Sequence, residues 1–153
     1  MLSLFTSKAY KQRKLNEALE KLRDIPNINR GGCLVAARAV WLYLKRHHAL
    51  PKDFGIIALN QLYTEELHIQ NLNATKGKDV PTASCHFAIK AFGKLYDAEG
   101  EIQNDNEFPL HLEITLSENF LKKAYFYGGW NEEYRKYEYN REIEKKLGIK
   151  FYN

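Results

Sequence analysis

Apolar and polar positions follow several different periods along this chain, and each period predicts an element. Between Ser7 and Asp24, Leu15, Ala18, Leu19 and Leu22 recur at the three-and-four spacing of one helix face, with Lys, Arg and Glu elsewhere. The spacing predicts an amphipathic helix over 7–24, capped by Ser7 and closed by Pro26. From Leu34 to Leu44 the pattern changes, because only Arg38 is charged. A run that is apolar nearly all round belongs inside a core. It predicts a buried helix from Cys33 to about Arg46, separated from the preceding polar loop by Gly31 and Gly32. Lys45, Arg46, His47 and His48 complement the dipole of its last turn, and Pro51 ends the segment.

Beyond Pro51 the period shortens. Phe54 to Tyr63 has the apolar, β-branched content of a strand, which Thr64 to Gln70 extends or turns. Asn71 to Ser84 reads as a polar loop bordering a substrate cleft. In Cys85–Ala98, His86, Ala88 and Lys90 alternate with Phe87, Ile89 and Ala91; Gly93 marks a turn, and the chain returns as a hairpin. Glu99 to Phe108 reads as another polar loop, and Leu110, Leu112, Ile114 and Leu116 as one face of a half-buried strand. Ser117 caps a short helix to about Tyr125, Gly128 and Gly129 break the chain, and Asn131 caps a charged helix over 132–147 that Gly148 ends. Helices, then antiparallel strands, then helix again predict an α+β fold, one domain over 1–153, with the 33–46 helix on the sheet.

Composition changes this picture little. The 153 residues suffice for a real core. No apolar run approaches membrane-spanning length, and the N-terminal residues lack the basic-then-apolar order of a signal peptide. Two cysteines do not suggest a disulfide framework. A cytoplasmic protein with no membrane association is the expectation. The net charge of +4 points weakly towards acidic partners.

Chemistry enters at Cys33. Unpaired N–H groups and the positive end of the dipole at a helix start favour an anion, and for cysteine that anion is the reactive thiolate. The blander reading is a small buried residue, so the rest of the chain must supply a base. His86 opens the first hairpin strand. A two-residue turn including Gly93 makes cross-strand partners sum to 185 or 187, so even positions on the first strand share a face with odd positions on the second. His86 and Asp97 therefore share a face. With the sum 185, Asp97 is diagonal to His86, roughly 7–8 Å away along the backbone and within side-chain reach. Glu99 would then stand directly opposite His86, and Glu101 would do so with the sum 187. The orienting carboxylate is thus Asp97 or else Glu99. Cys33 would be the nucleophile, His86 the base, and the carboxylate the group that holds the imidazole. The Cys33 N–H with an amide from Asn27 or Asn29 would bind an oxyanion.

A small-Gly-Cys helix start, a His opening a strand, and then the run HFAIKAFGKLYDAEG resemble the papain-like cysteine peptidase superfamily in its broad sense. The transglutaminase-like branch, with Cys, His and Asp in this chain order, is the nearest. By position Cys33 matches the nucleophile, His86 the base and Asp97 the orienter, and Asn27 stands where papain has its oxyanion-hole glutamine. Leu34 follows the cysteine where papains and many transglutaminases carry Trp. The resemblance covers residues 27–100. It implies a papain-like fold and a cysteine peptidase or amidase that cleaves an amide in a protein, peptide or peptidoglycan-like substrate without a cofactor.

Two rival readings stand beside it. Cys33, Cys85, His86 and His111 lack zinc-ligand spacing, and neighbouring His47 and His48 make a poor metal pair, so no metal is expected. The stretch AYFYGGWNEEYRKYEYNRE interleaves aromatics with charges, as a surface binding protein or nucleic acid would. A catalytically inactive papain-like binding module is therefore the alternative, although Tyr134 and Tyr137 at helical spacing also suit ordinary packing.

Overall fold

The computed structural model describes residues 7–26, 28–29, 32–60, 69, 85–108, 110–114 and 133–151. Helix α1 spans Lys8–Arg23, and the Ser7 hydroxyl caps it by accepting from the Tyr10 N–H at 3.0 Å. Leu15, Ala18, Leu19 and Leu22 are all buried, as their spacing requires. Helix α2 spans Cys33–Arg46, and from Cys33 to Leu44 every residue except Leu42 is buried. That includes Arg38, at 0% exposure. A charge in a core needs partners. Arg38 Nη2 donates to the Phe151 carbonyl at 2.9 Å, and the guanidinium lies 5.2 Å from the Phe151 ring centroid.

Strands β1 (Gly55–Asn60), β2 (Cys85–Ala91), β3 (Lys94–Asp97), β4 (Gly100–Glu101) and β5 (Leu110–Ile114) form an antiparallel sheet in the order β4-β3-β2-β1-β5. Helix α3 spans Glu133–Leu147, and Gly148, at φ +64°, ends it. The architecture of the described residues is α+β, with α2 packed between α1, α3 and one face of the sheet. Ile56, Ala58, Phe87, Ile89, Ala91 and Tyr96 join the core on that helix-covered face. On the other face Ile57, Leu59 and Ala88 are covered by Leu95, Ile102 and Phe108. β1 is thus buried on both faces, which explains an apolar run without alternation.

The β2–β3 hairpin turns at Phe92 and Gly93, with φ of 56° and 73°. Two successive left-handed residues make the tight turn whose twist matches the strands. Glycine adopts this conformation freely, whereas for Phe92 it costs about 1 kcal/mol or more. The Asp53 carboxylate offsets that cost by accepting from the Phe92 and Gly93 N–H groups at 3.0 and 2.9 Å. Partial burial alone would raise the Asp53 pKa, but the two amide bonds outweigh it and hold the carboxyl below its ordinary value.

The expected loop over 99–108 contains two elements. Gly100, at φ +116°, lets the chain turn straight back, so Glu101 pairs with Tyr96 as β4 and its carboxylate meets Lys94 at 3.1 Å. A 3-10 turn follows at Asp105–Glu107. The expected strand residues 61–63, the loop over 71–84, the helix from Ser117 to Tyr125, the Gly128–Gly129 break and the Asn131 cap lie outside the described residues. Among the described residues, no helix is long and apolar enough to cross a membrane.

Candidate active site

The hairpin register and the end of β3 together decide which carboxylate reaches His86. Ile89 pairs with Tyr96, Lys90 with Leu95 and Ala91 with Lys94, so partners sum to 185 and Asp97 is diagonal to His86. The side chains close the gap: His86 Nε2 lies 3.0 Å from Asp97 Oδ2. Glu99 is exposed, and its backbone N–H donates to Asp97 Oδ1 at 2.8 Å. It locks the carboxylate rather than replacing it. With one oxygen on the ring and the other on a backbone amide, Asp97 has little rotational freedom.

β3 ends at Asp97, so the first residues of β2 pair with β1 but have no β3 partner. The N-terminus of α2 abuts this open edge. The Phe87 N–H donates to Cys33 Sγ at 3.5 Å, using a donor that a longer β3 would have claimed. The Cys33 side chain also acts on the His86 ring and favours its charged form. Asp97 holds Nε2, so Nδ1 is the ring nitrogen that remains. One imidazole therefore answers to both carboxylate and sulfur.

Burial is the largest influence on His86 and disfavours its charged form. The hydrogen bonds and charges of Asp97 and Cys33 together outweigh burial and push its pKa up to about 9. At neutral pH the ring is an imidazolium. Phe108 stacks on it, with ring centroids 6.1 Å apart and planes 27° apart, and excludes water from one face. Sequence patterning does not single out Phe108, which falls in the expected polar loop.

The α2 start differs from the α1 start. Its N-cap is Gly32, which has no side chain to offer, and the first intrahelical bond runs from the Ala36 N–H to the Gly32 carbonyl at 2.8 Å. Gly32 offers no side-chain oxygen to the amides of the first turn, Cys33 included. Asn29 lies beside Cys33, and both line a small cavity with Asp97 and Ala98. Asn29 Oδ1 is buried, with no hydrogen-bond partner among the described residues. Asn27 lies outside the described residues. The cavity holds only about 10 Å³, room for one water at most, and Cys33 is 8% exposed.

Of the other chemistry-bearing residues, His111 is exposed on β5, opposite Leu59, which separates it from His86 on β2. Among the described residues no group of three or more His, Cys, Asp or Glu side chains is arranged to hold a metal ion. Comparison of the chain with protein-family models, with curated proteins and with solved structures returned no match.

Proposed function

We propose that this chain is a cysteine-dependent acyl-transfer enzyme of papain-like, transglutaminase-like type, a peptidase or amidase acting through Cys33, His86 and Asp97. The observation that carries the reading is the His86 ring, bonded to Asp97 at 3.0 Å and at the same time under the influence of the Cys33 sulfur. The attack starts from a protonated ring, which the raised His86 pKa favours. Sulfur attacks the amide carbonyl carbon, and the developing oxyanion meets the Cys33 N–H at the uncapped helix start. Rotation of the Asn29 amide, which exchanges Oδ1 for Nδ2, adds a second donor. The C–N bond breaks as imidazolium gives its proton to the leaving nitrogen, which departs as an amine or ammonia. The neutral ring then takes a proton from water, whose oxygen attacks the thioester. The carboxylic acid leaves, and sulfur and ring return to their starting state. Asp97 keeps the ring oriented and its charge balanced throughout.

Alkylation by iodoacetamide under mildly acidic conditions is the test, because a thiol on an imidazolium reacts there while an ordinary cysteine does not. Cys33 should be modified faster than Cys85 and should lose that advantage in His86→Ala. Equal labelling of the two cysteines, or an inert Cys33, would sink the proposal. The burial of Cys33 and the small cavity beside it favour a second reading, an inactive papain-like module that binds protein or nucleic acid. An inert Cys33 in a folded protein is the outcome that selects it.

A further inference from the structure

We infer that the end of the molecule where α2 and α3 both terminate is a docking face for the phosphate backbone of a nucleic acid. An Arg46 side-chain nitrogen contacts the Gly148 carbonyl, so the C-termini of the two helices lie together. Each helix ends in a basic turn, Lys45 and Arg46 on α2 and Lys145 and Lys146 on α3. Basic residues there complement the two dipoles, but the positive charge continues beyond both helices with exposed Lys52 and Lys150. From Lys45 to Lys52 there is no acidic residue. From Arg141 to Lys150 the sequence holds four cations and two acidic residues, Glu142 and Glu144, and Glu144 accepts from the Phe151 N–H at 2.9 Å. These two segments more than account for the net charge of +4, so the remainder of the chain is slightly acidic.

Two of these cations, Arg46 and Lys150, line an open groove of about 500 Å³ that also includes Leu42 and Ile149, and Lys145 and Lys146 stand in the helix turn just before it. Charges on long exposed side chains along an open groove suit a repeating polyanion, which is held mainly by counterion release. A lipid surface would also need an apolar anchor. Among the described residues the exposed large apolar side chain is Ile69, which is no part of this groove.

The test is fluorescence anisotropy of a short dye-labelled DNA duplex titrated with the full chain at several salt concentrations. Lys145→Gln/Lys146→Gln/Lys150→Gln is the test variant, leaving Arg46 on Gly148. Lys8→Gln/Lys11→Gln/Lys94→Gln removes the same charge elsewhere, and melting curves show that both variants fold. Wild-type binding should weaken with salt. The test variant should bind at least about tenfold more weakly, with a salt slope reduced by roughly two to three, while the control binds nearly as wild type. Cys33→Ala should bind unchanged, since the face is independent of the sulfur. No salt-dependent binding, an equal loss in the control, or binding to phosphatidylserine vesicles without binding to the duplex would overturn the inference.

Discussion

Two histidines in this fold meet similar surroundings and end in opposite states. His86 at the start of β2 and His47 at the C-cap of α2 are both part-buried, and each lies against an aromatic ring, Phe108 at 6.1 Å and Tyr43 at 4.4 Å. Burial is the largest influence on both and pushes both towards the neutral form. At His47 the neighbouring Lys14 and Arg46 push the same way, and the pKa falls. At His86 a carboxylate and a sulfur push back, and the pKa rises to about 9. Burial therefore does not distinguish a chemical histidine from a structural one. The partners do, and they come from backbone register and from the end of a strand.

The comparison breaks most completely at the sulfur. Cys33→Ala should abolish amide hydrolysis and leave the melting temperature close to that of wild type, since a small apolar residue fits the same buried place. His86→Ala should slow hydrolysis by roughly 10²-fold or more, whereas His47→Ala should leave the rate unchanged. Activity assays on purified, folded variants check all three. Equal effects from the two histidine substitutions would dissolve the distinction. Asp97→Asn should be milder than His86→Ala, because it removes an orienting charge rather than the proton carrier. It should also lower the His86 pKa, which NMR titration of the imidazole reads directly.

Much of this difference was legible in the sequence. The faces of α1 and α2, the β2–β3 hairpin and the parity that puts His86 with Asp97 follow from spacing, because side-chain direction in a strand has period two. The choice between Asp97 and Glu99 did not, since a sum of 185 puts Glu99 opposite His86 and Asp97 wins because β3 ends there, leaving Glu99 exposed in the turn to β4. The turn at Phe92–Gly93, held by Asp53 from far along the chain, fixes that sum. Phe108 was hidden for a related reason. Its contact with His86 depends on β4 and the 3-10 turn, and Gly100 makes that path inside a stretch whose composition reads as loop. Arg38 looked like an exception within an apolar helix. Its partner, the Phe151 carbonyl, lies at the other end of the described chain, beyond any local pattern.

The hairpin clamp offers a medium-sized test of that legibility. Asp53→Ala leaves two turn amides without their acceptor and Phe92 in an unfavourable conformation without compensation. Loss of two hydrogen bonds to a charged group should cost about 2–4 kcal/mol, measured by urea denaturation. If the register slips as well, hydrolysis should fall with stability, because Asp97 then leaves the face of His86. Asp53→Asn, which keeps one acceptor oxygen, should recover part of both.

The smallest effect is in the pH dependence of stability, where the two histidines pull in opposite directions. His86 has a folded-state pKa of about 9, above the roughly 6.5 of an unfolded histidine. Its contribution is complete below pH ~6.5 and is lost as pH rises towards about 9, because the unfolded chain gives up its proton first. His47 has a lowered pKa, so its contribution is present above pH ~6.5 and is lost as pH falls through the folded value. Urea denaturation across this range should show the alkaline loss shrink in His86→Gln, by on the order of 1–3 kcal/mol, and the acid loss shrink in His47→Gln. Asp97→Asn should imitate His86→Gln on the alkaline side. If His86→Gln leaves the alkaline limb intact, sulfur and carboxylate do not hold a proton on that ring, and the contrast between the two sites reduces to their position in the fold.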